Sequence, residues 1–189
     1  MESRLPSPTS SPRLRLFWGT GATPELDARL EAWRRDSRAA LPSARWSRLE
    51  DSHLTLAFLG GRPAQEQDSI LAAGREAVSD CEAFTLRTAG LGAFPSMNRA
   101  RILWLGFVAE PALEQLATRL RRTMEPFGAE DQPFRPHLTL ARFKEPVLLP
   151  TLNEIESSTV RVEAIHLFRS DPQAEGPKYR ILGTLPLRA

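Results

Sequence analysis

The tetrapeptide His-Leu-Thr-Leu occurs twice, at His53 to Leu56 and at His137 to Leu140, in a chain of 189 residues with only three histidines. Read as β-strands, both copies place His and Thr on one face and two leucines on the other, because successive side chains alternate across a strand. Leucine is common enough for repeated leucines to mean little, whereas a shared His and Thr at the same offsets is a demanding coincidence. The chain therefore has to build two equivalent strands, each backed by a core and each displaying one titratable group and one hydroxyl.

Histidine serves as acid or base near neutrality, so a facing pair suits a reaction in which one proton is removed and another delivered. A single histidine opening an apolar strand is more often structural; the duplication is what moves His53 and His137 to candidate catalytic residues. Thr55 and Thr139 share the faces of their histidines and can donate hydroxyl hydrogen bonds to a ligand held there. Phe58, just past the first motif, offers an aromatic face for a nucleobase or a side chain for the core. Trp46 and Arg135 are weaker candidates for a cleft rim, Trp104 is expected between sheets, and His166 lacks the motif and is expected to be structural.

Strand and helix signals alternate along the chain. A strand is expected over 14–19, followed by a helix from the Thr23-Pro24-Glu25 start to about Arg38, with Leu26, Leu30 and Trp33 at helical spacing. The first motif strand should cover 53–59 and stop at a Gly60-Gly61-Arg62-Pro63 break, before a helix over 64–79. Strands are expected near 84–91 and 101–108, then a helix opened by Pro111 with Leu113, Leu116, Leu120 and Met124 on one face and Gly128 beyond its end. The second motif strand should cover 137–143, and two β-rich segments at 159–168 and 179–187 finish the chain. This order suggests a duplicated α+β unit whose pseudo-twofold brings the two histidines to opposite walls of one cleft.

The residues around both motifs resemble the RNA 2',3'-cyclic phosphodiesterases, also called 2'-5' RNA ligases, of the 2H phosphoesterase superfamily, which two His-x-Thr-x motifs define. The likeness runs through HLTLAFLG from His53 to Gly60 and PFRPHLTLAR from Pro133 to Arg142. It includes Phe94-Pro95, the stretch from Arg101 to Gly106, and Ser170, Gly176-Pro177, Tyr179 and Leu182. It covers the chain from about Leu14 onward. The resemblance implies a bilobal α+β architecture over 13–189, with two antiparallel sheets flanking a central cleft and helices packed outside; the Pro/Ser-rich front end departs from the family and is expected to be a flexible tail over 1–12. It also implies metal-independent hydrolysis of RNA 2',3'-cyclic phosphate ends to 2'-phosphates, with 2'-5' ligation as the reverse reaction. On that reading His137 is the base, His53 is the acid that expels the 3' oxygen, and Arg142 lies near the phosphate. Period two alone would put Arg142, five residues past His137, on the far face unless the strand bulges or twists.

Composition narrows the field. A hydrophobic fraction of 41% with 25% charged residues is ordinary for a folded globular chain. Of the 25 basic residues only Lys144 and Lys178 are lysines, and guanidinium forks suit phosphate oxygens. The lone Cys81 allows no internal disulfide, no run of about 20 apolar residues is available to cross a bilayer, and the leader lacks the apolar centre of a signal peptide. A cytoplasmic monomer is expected, acting on RNA with a 2',3'-cyclic phosphate terminus or on a small cyclic nucleotide, without membrane, metal or cofactor. Neither motif has zinc-ligand spacing, and neither a P-loop nor a Gly-x-Ser-x-Gly elbow occurs. Two alternatives remain at this stage: a phosphodiesterase for 2'-5' linkages or small cyclic nucleotides, and a nucleotide- or RNA-binding module without turnover.

Overall fold

The computed structural model describes residues 12–130, 132–174 and 176–189, so the tail expected over 1–12 lies, apart from Pro12, outside the described residues. In chain order the elements are β1 (Arg13–Gly21), α1 (Pro24–Ser37), β2 (Arg45–Trp46), β3 (His53–Pro63), α2 (Gln67–Val78), β4 (Phe84–Phe94), β5 (Ala100–Phe107), α3 (Pro111–Met124), β6 (His137–Val147), β7 (Thr159–Val162), β8 (Ala164–Asp171) and β9 (Lys178–Pro186). Helix α1 starts as its sequence suggests: the Thr23 hydroxyl accepts from the Leu26 amide, and Pro24 fills the first turn.

The strands lie in the order β7-β4-β5-β6-β3-β1-β8-β9, antiparallel at every pairing. The order is a palindrome about the junction of β6 with β3, so the two motif strands are innermost and each leads outward through three more strands of its own lobe. The two motif strands pair with each other at Leu54 opposite Leu138, and β2 pairs with β6 beside that rung, Arg45 opposite Arg142 and Trp46 opposite Ala141. Both of these leucines are buried, as are Leu56 and Leu140, so the apolar faces of both motifs point into a hydrophobic cluster that draws on both lobes. Helices α2 and α3 pack on each other, α3 against β3 and α2 against β9.

Two expectations need correction. The glycine pair after the first motif does not break the strand: Gly60 takes φ +65° and β3 continues to Pro63, paired with Arg13. Glycine tolerates that left-handed conformation, so the strand bulges and carries on. The segment 159–168 is also two strands, β7 pairing with β4 and β8 with β1. The buried residues show the slip, running Val160, Val162, then Ile165 and Leu167, with the phase broken at Glu163 and Ala164.

Gly74 in α2 lies against the indole of Trp18, which is fully buried in β1. A Cβ there would overlap that ring, with Cη2 at 2.6 Å, and press on Leu185 Cδ1 at 3.0 Å. Alanine would gain about 1 kcal/mol of helix propensity, but overpacking costs about 1–3 kcal/mol, towards its upper end where the ring has nowhere to go. Gly74→Ala is therefore expected to destabilise the protein by about 2 kcal/mol, seen as a lower denaturation midpoint at unchanged m-value; a stabilised variant would show that the ring yields.

Candidate active site

Both motif strands carry the same irregularity. On β3, Thr55 pairs with Gly19 and Ala57 with Trp18, which leaves Leu56 as an extra residue; on β6, Thr139 pairs with Trp104 and Ala141 with Leu103, which leaves Leu140 extra. The bulge falls on the fourth residue of each His-Leu-Thr-Leu. It buries two successive side chains, Leu56-Ala57 and Leu140-Ala141, and returns the next one, Phe58 or Arg142, to the face of the histidine. Arg142 thus lines the same cavity as His137 despite the odd spacing.

That cavity, about 900 Å³, is lined by His53, Thr55 and Phe58 from one lobe and by His137, Thr139 and Arg142 from the other. All six predicted site residues are brought together. Arg135 also lines the cleft, but Trp46 does not: its ring packs edge-on against Trp33 at 5.9 Å, on the α1 side. Trp104 stands opposite Thr139 beside the site, 6.0 Å from the His137 ring, instead of between sheets. His166 is outside the cleft, with Nδ1 2.9 Å from the Thr184 hydroxyl.

Each catalytic candidate is held by a carbonyl two residues before it. His53 Nδ1 lies 2.7 Å from the Asp51 carbonyl oxygen and His137 Nδ1 2.6 Å from that of Arg135. A carbonyl only accepts, so both Nδ1 atoms carry the proton and Nε2 is left in each ring to take or give one. The rings are bedded in aromatics. His53 meets Phe17 at 4.7 Å, Tyr179 at 4.6 Å and Phe168 at 5.5 Å; His137 meets Phe94 at 5.0 Å. This burial is the main reason that the His53 imidazole is pushed down to about 4, with the charges of Arg142 and His137 acting in the same direction and the bond to Asp51 opposing them. Burial also lowers His137, again helped by Arg142 and opposed by the bond to Arg135. The Asp51 carboxyl, in the turn before His53, is near enough to Arg48 and to the Tyr179 backbone for both to act on it. Burial raises that carboxyl.

The cleft has two unlike ends. Because β3 and β6 are antiparallel, the far end of β3 lies beside the approach to β6, and Phe58 and Phe134 share that end; the Glu130 amide donates to the Phe58 carbonyl at 2.9 Å. Phe58 stacks on Phe17 at 5.5 Å, with the Arg15 guanidinium 5.7 Å from its ring centre. Towards the other end, Arg142 is near enough to His53 and Tyr179 to shift both. Among the described residues Arg142 has no carboxylate partner. Arg15, Arg135 and Arg142 line the cleft, and Glu130 is the one acidic lining residue among the described residues, so the cleft is suited to an anion flanked by a flat apolar group. Arg15, Phe17 and Tyr179 were not singled out as site residues in the sequence, because none lies in a His-x-Thr-x motif and only strand pairing brings them to the histidines.

The family model of the 2'-5' RNA ligase superfamily matches residues 22–174. An RNA 2',3'-cyclic phosphodiesterase of Thermus thermophilus is 36% identical over 146 residues, 72% of this chain and 72% of that protein. One from Geobacillus stearothermophilus is 30% identical over 93% of this chain but 58% of its own length, so this chain spans little more than half of it. Among solved structures, Escherichia coli LigT complexed with 3'-AMP superposes with a TM-score of 0.79 at 27% identity, covering 93% of this chain and 98% of that one.

Proposed function

Because this chain belongs to the 2'-5' RNA ligase superfamily, we propose that it is an RNA 2',3'-cyclic phosphodiesterase whose working unit is residues 13–189 and whose acid and base are its two motif histidines. The observation that carries this reading is the matched pair of Nδ1-anchored imidazoles in one arginine-rich cleft. The base at Phe58 and the cyclic phosphate between the lobes would account for the unlike ends of the cleft.

The cyclic diester is opened by water in line with the departing ribose oxygen. Neutral His137 takes the water proton through Nε2, protonated His53 delivers its own to the 3' oxygen, and a 2'-phosphate remains. Thr55, Thr139 and Arg142 donate to the non-bridging oxygens as charge builds on them. His53 is neutral in the empty cleft at pH 7, so the substrate's negative charge has to hold its proton. Once charged, it stands ready to deliver that proton to the departing oxygen. With a 5' hydroxyl in place of water, the same displacement forms a 2'-5' bond at the phosphorus as the bond to the 3' oxygen breaks, the hydroxyl proton going to His137 and the proton of His53 to the 3' oxygen.

The test is hydrolysis, in EDTA, of a short RNA ending in a 2',3'-cyclic phosphate, with identification of the phosphate isomer. A 2'-phosphate is expected; a 3'-phosphate would reverse the assignment of the leaving oxygen, and tight binding without turnover would leave a binding module. The pH dependence follows from the lowered imidazoles. The profile of kcat/KM reports the free protein, where both groups sit below the ordinary 6.5. Its bell should centre below pH 6.5, whichever histidine is the acid. The kcat profile reports the complex and should lie at higher pH, because the bound anion raises both groups. Coincident profiles would show that the phosphate does not reach the imidazoles.

A further inference from the structure

We infer that Arg121, on α3, is a positioning residue that sets the orientation and tautomer of His137 through the loop in front of it; this rests on His137 being one of the acid–base pair. Its Nε donates to the Leu56 carbonyl at 3.2 Å, its Nη1 donates to the Gln132 carbonyl at 2.8 Å, and its Cζ lies 4.9 Å from the centre of the Phe134 ring. One planar guanidinium therefore joins the bulge of the first motif strand to the loop that leads into the second.

Each of these contacts answers a local need. Leu56 is the residue that the bulge leaves without a partner on β1, and a strand carbonyl next to an apolar wall needs a donor. The equivalent carbonyl in the other lobe, Leu140, is served by a backbone amide, that of Ser47, at 2.9 Å. Arg121 does with a side chain in one lobe what the main chain does in the other. A fork of fixed geometry can reach two carbonyls and cover a ring together, which an ammonium cannot.

The loop then carries the effect forward. Pro133 and Pro136 flank Phe134 and Arg135 and restrict the backbone on both sides. Fixing the Gln132 carbonyl at one end therefore places the Arg135 carbonyl at the other, and this is the acceptor of the His137 Nδ1 proton. The acceptor for His53, the Asp51 carbonyl, belongs to a separate turn over Leu49–Asp51 on the far side of the cleft and has no link to Arg121 in these contacts. The two histidines should accordingly respond differently to the loss of one arginine.

With three histidines in the chain, each imidazole can be followed by long-range 1H–15N correlation in the 15N-labelled full-length protein, without any substrate. Wild type should show the Nδ1-protonated form for both His53 and His137. In Arg121→Met, His137 should shift towards a mixture with the Nε2-protonated form while His53 and His166 keep their resonances. Turnover of the cyclic phosphate should fall about 10–100-fold in kcat, with KM within about threefold. Arg121→Lys, which keeps a donor for one carbonyl, should lie between the two and supplies the same test if the methionine variant does not fold. His137 remaining Nδ1-protonated in a folded variant would overturn the inference, as would equal changes at all three histidines. If wild type binds but does not turn over the cyclic end, the enzymatic reading fails while the spectroscopic result still decides the role of Arg121.

Discussion

Alanine at His137, or at His53, is expected to lower kcat for a 2',3'-cyclic phosphate by about 10²–10⁴-fold, the usual range for loss of a positioned proton-transfer group. The effect should be kinetic and not a failure to fold. Both rings sit at the first residue of a strand, on the cleft face, and the leucines that anchor those strands, Leu54 and Leu138, are untouched. The double variant should be little worse than either single one, because attack and departure form one concerted event that half a pair does not assist. Turnover with each folded variant, checked by circular dichroism and a cooperative melt, decides the matter. Substantial activity left in either would mean that the protons move through other groups.

Arg142→Leu is expected to cost about 10²–10³-fold in kcat/KM, comparable to removing a donor that stabilises developing oxyanion charge. It carries a second signature. The Arg142 charge depresses both His53 and His137, so its removal should raise both imidazoles and move the kcat/KM bell to higher pH. A side chain that only packed against the cleft wall would lower stability without shifting that profile. Arg142→Lys keeps the charge and loses the fork, so it should retain the low-pH bell and recover part of the rate.

Arg142 also marks the limit of what can be read from the chain alone. The faces of His53, Thr55, His137 and Thr139 follow from period two, and the α+β alternation follows from helix starts at Thr23-Pro24 and Pro111 and from leucines at helical spacing. The bulge is not legible in the same way. Nothing in the composition of Leu140-Ala141 distinguishes an extra residue from a regular one, because both side chains are buried and both are common in strands. A strict count therefore put Arg142 on the far face, and the pairing of β6 with β5 returned it. The same holds for Gly60, where a glycine pair reads as a stop although the conformation that glycine permits lets the strand continue. Trp104 was misplaced for a related reason: an aromatic in an apolar strand looks like core until its partner, Thr139, is known to face the cleft.

The single rung between β3 and β6 would on its own leave two strand edges in the middle of the molecule, and exposed edges invite pairing with another chain. Here they are sealed crosswise. The segment before the first motif covers the second, with the Ser47 amide on the Leu140 carbonyl, and the segment before the second motif covers the first, with the Glu130 amide on the Phe58 carbonyl. The outer borders are blunted differently, β7 by being only four residues long and β9 by Lys178 and Arg180. The gap between the two motif strands is thus guarded against strand invasion and self-association by the segments that lead into them.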